Sequence, residues 1–397
     1  MTHWRTGLFA VMLASAGLPI YIHLPRYAAV EMGLDIATVG LIVMGIRIFD
    51  FIQDPLIGRL IDRFSNARDR MATLALALMA LGFIGLFSLP APVAPALWLV
   101  GTLVCIFTGY SVGMILMYGD ATRHEDQLRI ATYREAGLIV GVILAALAPT
   151  LLGGFTAFGW LLAVLILIAH LATRSMWGDA LTPPAQGLGP LFKAGGGWLL
   201  LLAVVNSLPL AITSTLFLFY VSDRLLLPDW AGGLLVLFFA SSGLSIPIWS
   251  ALARRFSPRA VLLFAMALSI AAFIGTASIP PQGLFPFALV CIASGAAVGA
   301  ELVILPTLFS GLLARNGIAA GQSFGLWSFA TKLSLPLAAV IVLPTLDAAG
   351  FVPDQTNSAA ALDRLSFLYA LLPCALKLLS LGLLLAIPKH LFGPPQI

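Results

Sequence analysis

The sequence predicts an all-α integral membrane protein of about twelve transmembrane helices in two pseudo-symmetric six-helix bundles. Composition, the spacing of apolar runs and an internal repeat predict it. Of 397 residues, 60% are hydrophobic and only 10% are charged, against roughly 25% charged in an ordinary soluble chain. So little polar surface cannot face water on all sides, and lipid is the expected solvent. The formal net charge of +4 invites a nucleic-acid partner. Its Lys and Arg residues, however, sit in short gaps between apolar runs and form no stripe or patch, which argues against that class.

A span needs roughly 20 apolar residues. The first run covers residues 7–29. Its start carries a basic residue and the Ala14-Ser15-Ala16 of a secretory leader, but apolar character continues through Pro19 to His23 and more spans follow. It therefore reads as a helix kept in the chain. Further spans are expected over 36–58, 71–90, 96–118, 132–153 and 155–173, then 197–221, 229–253, 259–279, 284–309, 321–345 and 365–387. Pro and Gly clusters mark turns between them, PAPVAP after the third, GGF after the fifth and PPQG after the ninth. Cys105, Cys291 and Cys374 fall inside apolar segments and read as packing residues, neither disulfides nor ligands. His23, His124 and His170 are scattered singly, so no metal site is expected.

Loop cations set the orientation. Arg59, Arg63, Arg68, Arg70, Arg123, Arg129, Arg174, Lys193, Arg254, Arg255, Arg259 and Arg315 follow even-numbered spans, whereas Arg26, Arg224 and Arg364 lie on the other side. Both termini are thus expected in the cytoplasm, with the chain multi-pass in a bacterial-type inner (plasma) membrane.

The longest polar interruption, RSMWGDALTPPAQGLGPLFKAGGG from Arg174 to Gly197, is rich in Pro and Gly. It divides the chain into an N-terminal six-helix bundle (1–175), a cytoplasmic linker (176–195) and a C-terminal bundle (196–397). The halves resemble each other. DPLIGRLIDRFS at Asp54 aligns with IPIWSALARRFS at Ile246, matching Pro55 to Pro247, Arg63 to Arg255 and Phe64 to Phe256, while LPIYI at Leu18 echoes LPLAI at Leu208. Such duplicated units are a common way to build transporters, with the substrate site at mid-membrane.

Charge inside the spans locates the chemistry. Arg47, Asp50 and Asp54 differ by three and four residues, so on a helix they fall on one face within about 60°. The repeat sets Phe239, Ser242 and Ile246 opposite them, so the fold does not need the charges. A charge at mid-bilayer costs roughly 2.5–3.5 kcal/mol on insertion scales. Three on one face should point inward and offset one another, and two carboxylates with one Arg suit a proton or a monovalent cation. An ion pair holding helices together is the structural alternative. Lys332 is flanked by SFAT and LSLP with no loop nearby, so its ammonium needs a carboxylate partner. Glu301, in the apolar GAAVGAELVILP, reads either as a second proton or substrate group or as a hydrogen-bonded packing residue.

The run R-x-x-D-x-x-x-D-P-x-x-G-x-x-x-D-R from Arg47 to Arg63 resembles the second helix of the glycoside–pentoside–hexuronide:cation symporters, the melibiose-permease family of the major facilitator superfamily. GDATRHEDQLRIATYR, GQSFGLWSFATKL and LLPCALKLL are similar to that family's loop into the fifth helix, its eleventh helix and the start of its twelfth. Gly58, Asp62 and Arg63 resemble the superfamily's cytoplasmic gating loop between spans two and three. The resemblance implies that Asp50 and Asp54 are the cation-site carboxylates, that Arg47 sits beside them and that Lys332 is their counter-ion. It implies a substrate contact at Arg134. Ser111 stands where the family's fourth helix offers an Asp or Asn to the cation and sugar, so Ser111 and the adjacent Tyr110 are expected at the substrate site, while the first helix offers no acidic residue. A galactoside held in the melibiose manner is therefore not expected, and a proton, which needs one carboxylate, is favoured over sodium, which needs several oxygens. Trp327 offers a ring for stacking on a sugar or for packing.

The function expected is secondary active transport. A proton or sodium ion would drive symport of a small polar solute, a sugar or glycoside, by alternating access. The alternatives are a proton-coupled carrier or exporter of a non-sugar solute and, less in keeping with the charges, a receptor that moves nothing. No Walker Gly-x-x-x-x-Gly-Lys is present, and no nucleophile constellation points to an enzyme. The expected partners are the solute and the lipid bilayer, with no cofactor, no nucleic acid and a monomeric state.

Overall fold

The computed structural model describes residues 3–22, 24–177, 187–352 and 355–392. In chain order the helices are α1 (His3–Ile22), α2 (Leu24–Val30), α3 (Ile36–Arg63), α4 (Arg68–Phe87), α5 (Pro95–Ala121), α6 (Gln127–Leu151), α7 (Phe155–Thr173), α8 (Gly189–Lys193), α9 (Gly196–Phe219), α10 (Ala231–Arg255), α11 (Pro258–Ile274), α12 (Leu284–Arg315), α13 (Ala320–Lys332), α14 (Ser334–Asp347), α15 (Ala359–Ser366) and α16 (Leu372–Ala386). Among the described residues, ten helical stretches are long and apolar enough to cross a bilayer. Helices also occupy the first two expected positions: α1 with α2, and α3, which is 28 residues long and carries charge along its length. Within lipid only such internally bonded segments are stable, because unsatisfied backbone groups have no water to turn to.

The chain divides into two compact units. The first comprises Met1–Lys193 with Leu313–Phe329, and the second comprises Ala194–Leu312 with Ala330–Ile397. The end of α12 and most of α13 thus group with the N-terminal helices. The expected linker falls in large part on residues 178–186, outside the described residues, as does His23.

In the first unit, small residues let backbones meet. A Cβ on Gly137 would strike the Gly7 carbonyl, and one on Gly141 the Val11 carbonyl, so α1 and α6 pack without intervening side chains. Ser15 Oγ crosses the same seam to the Gly141 carbonyl at 3.2 Å.

The core of the second unit holds an aromatic stack among aliphatic side chains. Tyr220 and Tyr369 stack with centroids 4.1 Å apart and planes 7° from parallel, and the Tyr220 hydroxyl donates to the Thr276 carbonyl at 2.6 Å. Each lies in a π-helical turn, Tyr220–Arg224 after α9 and Phe367–Leu371 before α16.

Two of the departures from the expected boundaries have a direct physical reason. The second span runs to Arg63 and not to residue 58, so Gly58, Asp62 and Arg63 lie on the last turns of α3 and not in a loop. Its polar end is held by bonds given below. The eleventh span is broken between α13 and α14, because Pro336 has no N–H to offer the Lys332 carbonyl four residues earlier.

Candidate functional site

α3 is an inverted amphipath. Leu41, Met44, Ile48, Ile52 and Leu56 are exposed at helical spacing, whereas Asp50, Gln53 and Asp54 are buried with Ile46, Ile57 and Ile61. Lipid-facing apolar groups outside and polar groups inside is what the cost of charge in hydrocarbon demands. Asp50 is 3% exposed and Asp54 0%. Ser111 Oγ on α5 donates to Asp50 Oδ1 at 2.9 Å, and Gln53 Nε2 donates to the same oxygen at 3.2 Å. Thr108 Oγ1, one turn before Ser111, donates to Gln53 Oε1 at 3.0 Å. Ser328 Oγ on α13 donates to Asp54 Oδ2 at 2.6 Å. The first unit therefore brings together Asp50, Asp54 and Ser111, with Gln53, Thr108 and Ser328 as additional members. Arg47 is half-buried on α3.

The α3–α13 contact depends on glycine. A Cβ on Gly58 would collide with the Gly321 carbonyl, and one on Gly325 with the Asp54 carbonyl, so Gly321-x-x-x-Gly325 presents bare backbone to α3. Phe51 packs edge-on against Phe329 above this seam, centroids 4.6 Å apart. Below it, Asp62 accepts from the backbone N–H groups of Gly321 at 2.9 Å and Gln322 at 2.6 Å. These are orphan donors at the first turn of α13, where the helix dipole also favours a carboxylate. Arg68 Nη2 lies 3.6 Å from Asp62. The resemblance names Arg63, but that side chain is exposed over the Phe64 ring and the cation beside Asp62 is Arg68. In the loop after α5, His124 Nε2 bonds Asp120 Oδ2 at 3.1 Å. That hydrogen bond raises the His124 pKa above the ordinary 6.5, against the opposing effect of burial.

Arg134 is 1% exposed. Its Nε donates to Glu135 Oε1 at 2.8 Å, Nη2 reaches the same oxygen at 2.8 Å, and the guanidinium lies 4.2 Å from the centroid of Tyr118. Tyr118 in turn stacks near Phe324, centroids 5.4 Å apart. Tyr110 packs on α1, where a Cβ on Gly17 would meet its ring. Trp327 is buried on α13 within the first unit.

Lys332 ends α13 and belongs to the second unit. Glu301 belongs there too, in a closed triad. Lys377 Nζ on α16 reaches Glu301 Oε1 at 2.7 Å and Oε2 at 2.9 Å on α12. It also reaches Asn206 Oδ1 on α9 at 2.9 Å, and Asn206 Nδ2 donates to Glu301 Oε2 at 2.9 Å. Lys377 is 4% exposed and Glu301 6%. Sequence reasoning passed over Lys377 and Asn206. The signal for Lys377 was there, since it is a lone cation in the apolar LLPCALKLL, as Lys332 is in its own run. Among the described residues no cluster of His, Cys, Asp and Glu could hold a metal ion.

Membrane-crossing helices in two units, with ionisable groups turned inward, define a multi-pass transporter of the major facilitator fold. The chain belongs to the MFS/sugar transport protein family, whose profile matches residues 5–388. No curated protein matches the sequence. Among solved structures, a bacterial homologue of the iron transporter ferroportin in an outward-facing state superposes with a TM-score of 0.76 at 16% identity, covering 97% of this chain and 99% of that one. A structure of such a homologue with soaked iron gives 0.74 at 14% identity, with 97% and 99% covered. The E. coli fucose:proton symporter FucP gives 0.66 at 16% identity, covering 96% of this chain and 97% of that one. At these identities the likeness is one of fold.

Proposed function

We propose that this transporter is a cation-coupled symporter of a small polar solute, a sugar or glycoside, with Asp50 and Asp54 as the coupling carboxylates. The observation that carries the reading is their placement. Both are buried one helical turn apart on α3, each within 3 Å of a hydroxyl, at 2.9 Å from Ser111 and 2.6 Å from Ser328. The family's description supports a sugar as cargo. Protonation removes a buried negative charge, lowers the desolvation cost of closing the site, and so couples ion and solute through differential affinity between states.

The proton is the preferred ion. Ser111 acts as a donor toward Asp50, whereas a sodium site needs several oxygen lone pairs turned to one point. Arg134, held by Glu135 and Tyr118, would act on the solute after a change of partner. Lys332 would serve as counter-ion. A double-mutant cycle of Lys332→Ala with Asp50→Asn tests that role: coupling supports it, and purely additive losses reject it.

The deciding experiment uses purified protein in proteoliposomes. A thermal-stabilisation screen of monosaccharides and glycosides in sodium and potassium buffers identifies the solute. Its uptake should follow an imposed pH gradient in sodium-free buffer, and its addition should alkalinise a weakly buffered outer medium. Strict sodium dependence at fixed pH, without alkalinisation, rejects the proton and leaves the two aspartates as a sodium site.

A further inference from the structure

The second unit contains a cleft in which Lys377 is the one charged lining residue among the described residues. Its walls are apolar and aromatic, including Phe238, Ile270, Phe273 and Pro373. Through Leu210, Thr213, Phe238, Phe273 and Ser294 it continues into a second cleft that reaches Phe217 and Tyr369. Glu301 and Asn206 line neither cleft; they lie behind the ammonium. The site thus shows a cation at one end of an apolar trough and keeps its carboxylate hidden.

An ion pair of this kind is a poor way to stabilise a bundle, because apolar residues of similar volume do as well or better. The repeat makes the same point, since the match of Leu208-Pro209 to Leu18-Pro19 sets Ala16 opposite Asn206. The first half builds the equivalent helix without the polar group.

We infer that this cleft binds a monocarboxylate with an apolar body, and that each anion bound brings one proton to Glu301. The ligand's carboxylate takes Lys377 Nζ as its partner while its body lies along Phe238 and Phe273. Two carboxylates on one ammonium leave a buried net negative charge, which is costly. The charge balances when Glu301 takes a proton from water: the neutral acid remains bonded to Asn206, and the ammonium passes to the ligand. Among the described residues, Glu301 is held by Asn206 from α9 and by Lys377 from α16, and Cys374, one turn before the lysine, lies on the cleft wall. Anion and proton are therefore linked reciprocally. This site is separate from Asp50 and Asp54 and does not rest on the symport reading.

The test is calorimetric titration of the full-length protein in fatty-acid-free nanodiscs with phenylacetate and with octanoate. Each is run in buffers of different ionisation enthalpy so that proton uptake is counted. About one proton should be taken up per anion, and where Glu301 is ionised the affinity should fall about tenfold per pH unit. Glu301→Gln should bind the same anions with no proton uptake and no such slope. Lys377→Met should weaken binding at least tenfold. Should Lys377→Met fail to fold, Glu301→Gln decides, since it keeps the ammonium and changes only the proton count. Binding of octanoate alone assigns the site to fatty acids from the bilayer; binding of phenylacetate as well assigns it to soluble acids. Absence of binding by wild type and Glu301→Gln alike, or a pH slope that survives in Glu301→Gln, overturns the inference.

Discussion

The two units carry buried charge in different ways. On α3 of the first, Asp50 and Asp54 accept hydrogen bonds from neutral donors, Ser111, Gln53 and Ser328. In the second, Glu301 is closed on Lys377 and Asn206 within 3 Å. The repeat sets an apolar residue opposite a polar one in each half, Ile246 opposite Asp54 and Ala16 opposite Asn206. The scaffold therefore tolerates either, and the carboxylate of Asp54 and the amide of Asn206 are additions to it. A hydroxyl that donates to a carboxylate can turn and accept from the protonated acid, so a hydroxyl contact survives a change of charge. A carboxylate held by an ammonium changes charge only if something else takes the ammonium.

The largest expected effect separates the two at once. Asp54→Asn should abolish concentrative uptake while leaving insertion and thermal stability close to wild type, because the amide still accepts from Ser328 and removes a buried charge. Full ion-driven accumulation in this variant, measured in proteoliposomes, would remove Asp54 from the coupling role. In the second unit the order inverts. Lys377→Ala strands Glu301 and should cost about 3–5 kcal/mol of stability, whereas the paired change Lys377→Met with Glu301→Leu should be near neutral. Denaturation midpoints of the single and paired variants check this, and equal losses would mean that the triad contributes more than charge balance.

A smaller effect belongs to the end of α3. Asp62→Ala removes the acceptor of two N–H groups at the start of α13 and should cost about 0.5–2 kcal/mol, with Asp62→Asn in between. The smallest is pH-dependent. The Asp120 hydrogen bond raises the folded pKa of His124 above 6.5, so its contribution is complete below the unfolded value and is lost as pH rises through the folded one. His124→Gln should lower the melting temperature slightly below about pH 6 and not at all above about pH 8. An unchanged difference across that range would show that the histidine acts by packing.

Much of this was legible because lipid imposes simple rules. Twelve apolar runs and the placement of Pro and Gly gave the helices, and a carboxylate such as Asp54 in an apolar run is conspicuous. Ser111 became visible through the family pattern alone, since a serine in a membrane helix is ordinary. What stayed hidden were partnerships across distance. Glu301 and Lys377 are 76 residues apart, and no periodicity joins them. The end of α3 was misplaced for a related reason. Arg59, Asp62 and Arg63 look like loop residues until the first turn of α13 is brought to Asp62, where its N–H groups donate to the carboxylate.

The π-helical turn at Phe367–Leu371 has a consequence for the lysine six positions later. Such a turn spends one residue more than an α-helical turn over the same stretch, and one residue is about 100° of rotation. The angular phase of α16 is thus set upstream, by a local insertion that seats Tyr369 on Tyr220. Deleting one residue from that turn would straighten the helix and swing Lys377 about 100° away from Glu301 while leaving the composition of the span untouched. A relative that lacks the insertion would need its lysine at a different position in the sequence to aim it at the same point in space.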